Sequence, residues 1–181
     1  GDRAHFAQYF NADGTAAGIK IRQQNKKFMW RGTQPGTFFG QQKFSGGKML
    51  VVTEGEIDAM SYAETHGCRW PTVSVPNGAQ SATSVFKRNL EWLCGFEKVV
   101  LMFDQDDAGQ AAVEECVSLF PSDQVFIATL SSYKDASEAL QAGDGDAIRQ
   151  AVWNKRSYVP QSIIDGRDLF DLVSSPLHGR D

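Results

Sequence analysis

Short, uninterrupted apolar runs separated by helix-length stretches constrain this chain more than any other feature. Met49-Leu50-Val51-Val52-Thr53 is followed by a helical stretch over 57–66 that closes at Gly67. Pro71-Thr72-Val73-Ser74-Val75 is followed by a helical stretch over 82–93. A third run over 97–103 leads into a helix over 108–119, and a fourth run covers 124–130. Short helices are predicted near 137–141 and 146–153. A strand that is apolar at every position is buried on both faces, which is the condition of a parallel strand under helices. The run over 49–53 and three further strand-length stretches, with crossover helices between them, predict an α/β domain with a parallel four-stranded sheet flanked by helices.

The residues before 49 read differently. Residues 4–10 and 18–22 alternate around the turn signal Asn11-Ala12-Asp13-Gly14, which predicts a hairpin. Alternation puts Lys20 and Arg22 on one face, opposite Ile19 and Ile21. Residues 32–48 are Gly-rich and irregular, ending in Ser45-Gly46-Gly47-Lys48. The expected organisation is a small basic β-rich unit over 1–48, an α/β domain over 49–160, and a tail over 161–181. Ile163, Ile164, Leu169, Phe170, Leu172 and Val173 give that tail an apolar stretch, expected to dock on a neighbouring subunit or to fold back on its own domain.

Charge follows the same division. Residues 1–48 carry eight Lys/Arg and two Asp, a net of +6; the other 133 carry ten basic and twenty acidic residues, a net of -10. This suggests one surface for polyanions and another for cations. Hydrophobic residues make up 41% of the 181, enough for a core and too many for a disordered chain. No apolar run approaches the roughly 20 residues of a membrane helix. No signal peptide is read at Gly1-Asp2-Arg3, and without an initiator Met the chain is expected to be a piece of something longer. Cys68, Cys94 and Cys116 form no CxxC pair, so a four-thiolate zinc site and a paired disulfide framework are not expected, and a reducing, cytoplasmic location is.

Ligands of open α/β sheets sit beyond the carboxyl ends of the strands. Here those ends are acidic: Glu54-Gly55-Glu56 after the first strand, Asp104-Gln105-Asp106-Asp107 after the third, and Lys134-Asp135-Ala136-Ser137-Glu138 after the fourth. Converging carboxylates need a cation, and hard oxygen ligands suit Mg²⁺ or Mn²⁺. Such a metal is typical of phosphoryl transfer. The simpler readings are that Glu56 favours a helix start and that Asp107 and Asp135 are N-caps. Glu54, Asp104 and Asp106 are less easily explained that way.

Val51-Val52-Thr53-Glu54-Gly55-Glu56-Ile57-Asp58, followed by Leu101-Met102-Phe103-Asp104-Gln105-Asp106-Asp107-Ala108-Gly109, resembles a Toprim domain, whose signature is a Glu after one strand and an Asp-x-Asp after another. Lys20-x-Arg22, Lys26-Lys27-Phe28, Ser74-Val75-Pro76-Asn77-Gly78-Ala79 and Lys134-Asp135-Ala136-Ser137-Glu138 extend the resemblance to the primase part of bifunctional phage primase-helicases, over about residues 8–160. The resemblance implies a nucleotidyltransferase that makes short RNA primers from ribonucleoside triphosphates on a single-stranded DNA template. By the same resemblance, Glu54 assists metal binding or deprotonates the attacking 3′-hydroxyl. Asp104 and Asp106 hold metal, and Asp135 joins or steadies them. Lys20, Arg22 and Lys26 contact triphosphate or template, and Lys134 pairs with phosphate beside the acidic site.

A helicase domain and a zinc-binding module are expected elsewhere on the parent chain. The sequence has no GxxxxGK[ST] loop, and the N-terminal unit is expected to be abridged. The competing readings are a catalytically silent module that binds nucleic acid or a helicase, and a Toprim nuclease. A topoisomerase would need a nucleophilic tyrosine in a separate large domain; Tyr9, Tyr62, Tyr133 and Tyr158 read as structural.

Overall fold

The turn at 11–14 is closed by Asp13, whose side chain accepts hydrogen bonds from the Thr15 backbone N–H and hydroxyl. It joins β1 (Ala4–Phe10) to β2 (Ala16–Gln23) in the expected antiparallel hairpin. The computed structural model describes residues 4–23, 27–121 and 123–158. A third strand, β3 (Phe28–Gly32), pairs with β2 and makes a three-stranded antiparallel sheet. Residues 1–31 read as β on sequence, but Phe28-Met29-Trp30-Arg31 has no clean alternation and does not separate there as a third strand.

The second sheet has the strand order β5-β4-β6-β7-β8. The strands β4 (Leu50–Thr53), β5 (Thr72–Ser74), β6 (Val99–Met102) and β7 (Val125–Ile127) are the four expected, all parallel. The expected four-stranded sheet gains a fifth strand: β8 (Arg156–Ser157) pairs antiparallel with β7 at the edge. Two exposed polar residues carry no strand signal, and only the neighbouring edge recruits them.

Alternate residues of the central strands go to opposite faces. Leu50, Val52, Val99 and Leu101 pack with Phe86 of α2 (Ala79–Arg88), Leu93 of α3 (Leu90–Cys94) and Val113 of α4 (Asp107–Val117). Val51, Val100 and Met102 pack with Tyr62 of α1 (Glu56–Thr65), Ala139 of α5 (Ala136–Gln141) and Ile148 of α6 (Gly145–Trp153). That two-sided burial is why those strands read as unbroken apolar runs.

The single helix expected over 82–93 is two helices that break at Asn89. Asn89 is buried, its amide donates to the Gly36 and Val85 carbonyls, and its oxygen accepts from Gln41. Gln41 in turn accepts from the Phe38 N–H. The segment around Phe38 is thereby tied into the α/β core, where Phe38 is 1% exposed, and Phe39 bridges to Ser74. Residues 37–44, grouped on sequence with the basic unit, thus pack into the larger one. No helix among the described residues is long and apolar enough to cross a membrane. The tail over 161–181 lies outside the described residues.

Candidate functional site

Glu54 leaves the end of β4 and its carboxylate lies between two glycines at helix starts. Gly78 caps α2 with φ +70, and a Cβ there would stand 3.4 Å from Glu54 Oε1. A Cβ on Gly109, in the first turn of α4, would run into the Asp104 carbonyl oxygen and stand 3.2 Å from Glu54 Oε2. Glycine at these positions lets both backbones close on the carboxylate. Glu54 Oε2 is buried and has no hydrogen-bond partner. A buried carboxylate oxygen without a donor is costly unless a cation supplies the missing interaction.

Asp104 follows β6 on the neighbouring strand end. Its carboxyl is pushed up to about 6, first by burial, then by the negative charges of Glu54 and Asp135; Lys134 pulls it down and Asp106 adds a smaller upward push. Lys134 Nζ stands 3.8 Å from Asp104 Oδ2 and is 62% exposed, so the pair is loose and weak. The acidic groups therefore share one field. Among the described residues, however, no three carboxylate, histidine or cysteine side chains form a ready-made metal cage. A magnesium ion takes as few as one or two carboxylates and keeps several waters, so Glu54 and Asp104 would be enough to hold one. The unpartnered Glu54 oxygen and the strained charge of Asp104 fit such an ion.

Asp106 and Asp135 have local work as well. Asp106 Oδ1 caps α4 by accepting from the Gly109 N–H at 2.9 Å. The cap was expected of Asp107; it falls to Asp106 because α4 starts one residue earlier than read, at Asp107. Asp135 caps α5 by accepting from the Glu138 N–H at 2.8 Å, as one of its two expected readings had it. The start of α5 is anchored on α1, where Asp58 Oδ1 accepts from the Ser137 N–H at 3.0 Å. Burial pushes the Asp58 carboxyl up to about 7; the Ser137 bond opposes this, and the charges of Asp135 and Asp104 reinforce it. Sequence reading gave Asp58 no role. Nothing in the spacing says that one turn of α1 brings it under the Asp135 loop.

Lys20 departs from the expected open cation. It does share a face with Arg22, but that face packs inward: Lys20 is 6% exposed. Its ammonium donates to Glu56 Oε1 at 2.8 Å and to the Pro76 carbonyl at 2.6 Å, with the Phe28 ring 4.6 Å away. Glu56, read as a helix-start residue or as one of the acidic strand-end residues, is the buried partner. Tyr9, read as structural, is fully buried and donates to the same Glu56 oxygen at 2.7 Å. Burial, with Glu56 beside it, raises the Tyr9 hydroxyl far above the ordinary tyrosine range. Arg22 is half-buried, with its guanidinium 5.7 Å from the Phe28 ring. Lys26 lies outside the described residues. An open polar cleft of about 960 Å³, lined by Gln110, Thr129, Ser131, Ser132, Tyr133 and Asn154 among others, runs along β7 and α6. It begins beside the acidic site, since Gln110 donates to the Asp104 carbonyl.

A parallel sheet with a Glu after one central strand and an Asp-x-Asp after the next defines a Toprim-type acidic cleft. A model of the Toprim-like family matches residues 51–140. The DNA helicase/primase of Enterobacteria phage T3 is 38% identical over 176 residues, 97% of this chain and 31% of that protein. The primase fragment of the bacteriophage T7 primase-helicase superposes with a TM-score of 0.79 at 37% identity, over 84% of this chain and 64% of that one. The T7 primase domain seen with the lagging-strand DNA polymerase gives 0.80 at 36% identity, over 86% and 79%. The chain belongs to the Toprim-like primase family, in the branch of the phage primase-helicases. It spans less than a third of the length of the curated relatives it matches.

Proposed function

We propose that this chain is the primer-synthesising core of a phage-type DNA primase-helicase, a nucleotidyltransferase that joins ribonucleotides on single-stranded DNA. The observation that carries the reading is the Glu54 carboxylate, buried between two helix starts with one oxygen unpartnered, beside an Asp104 whose charge is under strain. Glu54 and Asp104 would hold Mg²⁺ (or Mn²⁺), with Asp106 and Asp135 completing the negative field. When bound, the metal supplies charge neutralisation for the reacting phosphates. Glu54 holds the metal or takes the proton of the attacking 3′-hydroxyl. Lys134, exposed at the lip, pairs with a nucleotide phosphate. Arg22 and Lys26 take the template backbone or triphosphate, and Lys20 acts from the wall behind them. A helicase domain and a zinc-binding module belong to the parent protein, and the place of work is the host cytoplasm.

Incubation with ribonucleoside triphosphates, Mg²⁺ and single-stranded DNA should yield dinucleotides and short RNA. Strand cleavage instead would make the chain a nuclease, and neither product would make it a silent binding module. Magnesium at ten times its dissociation constant should stabilise the fold by about 1.4 kcal/mol, a rise in Tm of roughly 3–6 °C. Asp104→Asn should melt at or above the parent temperature without metal, because it removes a repelled charge. It should lose most of the metal-induced rise and all synthesis; a full metal response and normal synthesis would refute the site.

A further inference from the structure

We propose that Lys20, Glu56 and Tyr9 form a positioning latch that sets the two loops around Glu54, and that Lys20 does not touch substrate. The inference rests on the primase reading only for its activity readout. Glu54 and Glu56 flank Gly55, so one carboxylate enters the cleft while the other enters the junction with the N-terminal sheet. The Lys20 ammonium holds Glu56 on one side and the Pro76 carbonyl on the other. Pro76 begins the loop that ends at Gly78, the glycine against Glu54 Oε1. A single buried cation thus ties the 54–56 loop to the 76–78 loop, and both to β2.

Tyr9, packed on Trp30 and Phe39, fixes the Glu56 carboxylate from β1. The lysine and glutamate side chains are 7% and 8% exposed. Such a pair has little room to release its lysine to a phosphate without leaving the carboxylate buried with no counter-charge and only the Tyr9 hydroxyl. The Phe28 ring lies over the ammonium as well, so the cation is contacted by a carboxylate, a carbonyl and an aromatic face.

A double-mutant cycle separates positioning from substrate contact. Lys20→Met takes the ammonium from both Glu56 and the Pro76 carbonyl, and Glu56→Gln leaves Lys20 as an uncompensated buried charge. Each should lower Tm by about 10 °C, as expected for a broken buried pair in a domain of this size. Each should also lower kcat for primer synthesis about tenfold or more, through displacement of Glu54, with KM for ribonucleotide changed by less than about threefold. The Lys20→Met/Glu56→Gln double variant leaves no buried charge, and its Gln oxygen can still accept from Tyr9. It should recover most of the Tm, while kcat and the Mg²⁺-induced rise in Tm stay as low as in Lys20→Met with KM unchanged, because methionine cannot hold the Pro76 carbonyl.

A double variant as stable as the parent but as inactive as Lys20→Met, with a raised KM, would overturn the proposal, because the lysine would then touch substrate. Additive losses of Tm would overturn it too, because the pair would not be coupled. If the parent chain makes no primer, coupling in Tm together with an Mg²⁺ response lost in both Lys20→Met and the double variant still establishes the latch while the primase reading falls.

Discussion

Asp104 and Asp58 show how one chemical group acquires two behaviours from its surroundings. Asp104 is strained mainly by burial and by the neighbouring carboxylates, and a cation would relieve it. Asp58 is strained mainly by burial and is held by the Ser137 N–H. Its folded carboxyl, at about 7, binds a proton more tightly than the unfolded chain, where the ordinary value is 3.8. The sign follows: its contribution favours the fold near pH 4 and is lost as pH rises through 7. Asp58→Asn keeps the acceptor and removes the titration. In chelator, its Tm should exceed the parent's by a margin that grows from pH 5 to pH 8, reaching about 5–10 °C after an allowance for residual solvation. A margin independent of pH would show that Asp58 ionises normally.

The helix starts are the elements that make the site. The first turn of α4 places the Asp106 cap, Gly109 and the Asp104 carbonyl within a single tight loop. A methyl group at 109 would meet backbone, which cannot swing aside like a side chain. Gly109→Ala should therefore lower stability by roughly 1–3 kcal/mol, by the usual scale for overpacking. It should also abolish the Mg²⁺-induced rise in Tm while far-UV circular dichroism stays unchanged. A Tm and metal response equal to the parent's would mean that the loop is less closely set than the geometry indicates. The same elements show where sequence reading stops. The run Leu50–Thr53 is legible because burial on both faces leaves no polar residue before Thr53 at its end. Asn89 is not legible as a break, because its partners Gly36 and Gln41 lie about fifty residues away.

The whole molecule joins a basic N-terminal unit to an acidic cleft. With Lys20 committed to Glu56, the nucleic-acid surface should depend on its remaining cations, Arg22 among them. Single-strand binding should weaken as salt rises, with a log-log slope of about -0.7 per phosphate contact. Arg22→Ala should reduce the magnitude of that slope by about 0.7 and weaken binding alike on different template sequences. An unchanged slope in fluorescence titrations from low to high salt would remove Arg22 from the surface.

By itself the sequence determined the parallel sheet, its order of strand and helix, and the acidic residues at the strand ends. Each of these follows from local periodicity and from which residue comes next after a buried strand. Tertiary structure alone decided that Lys20 turns inward to Glu56, that Asp58 holds up the Asp135 loop, and that Arg156–Ser157 forms an edge strand. Those outcomes depend on partners tens of residues distant. A charged side chain looks the same in sequence whether it meets solvent or a buried carboxylate, and only the packing of one unit on another makes the choice.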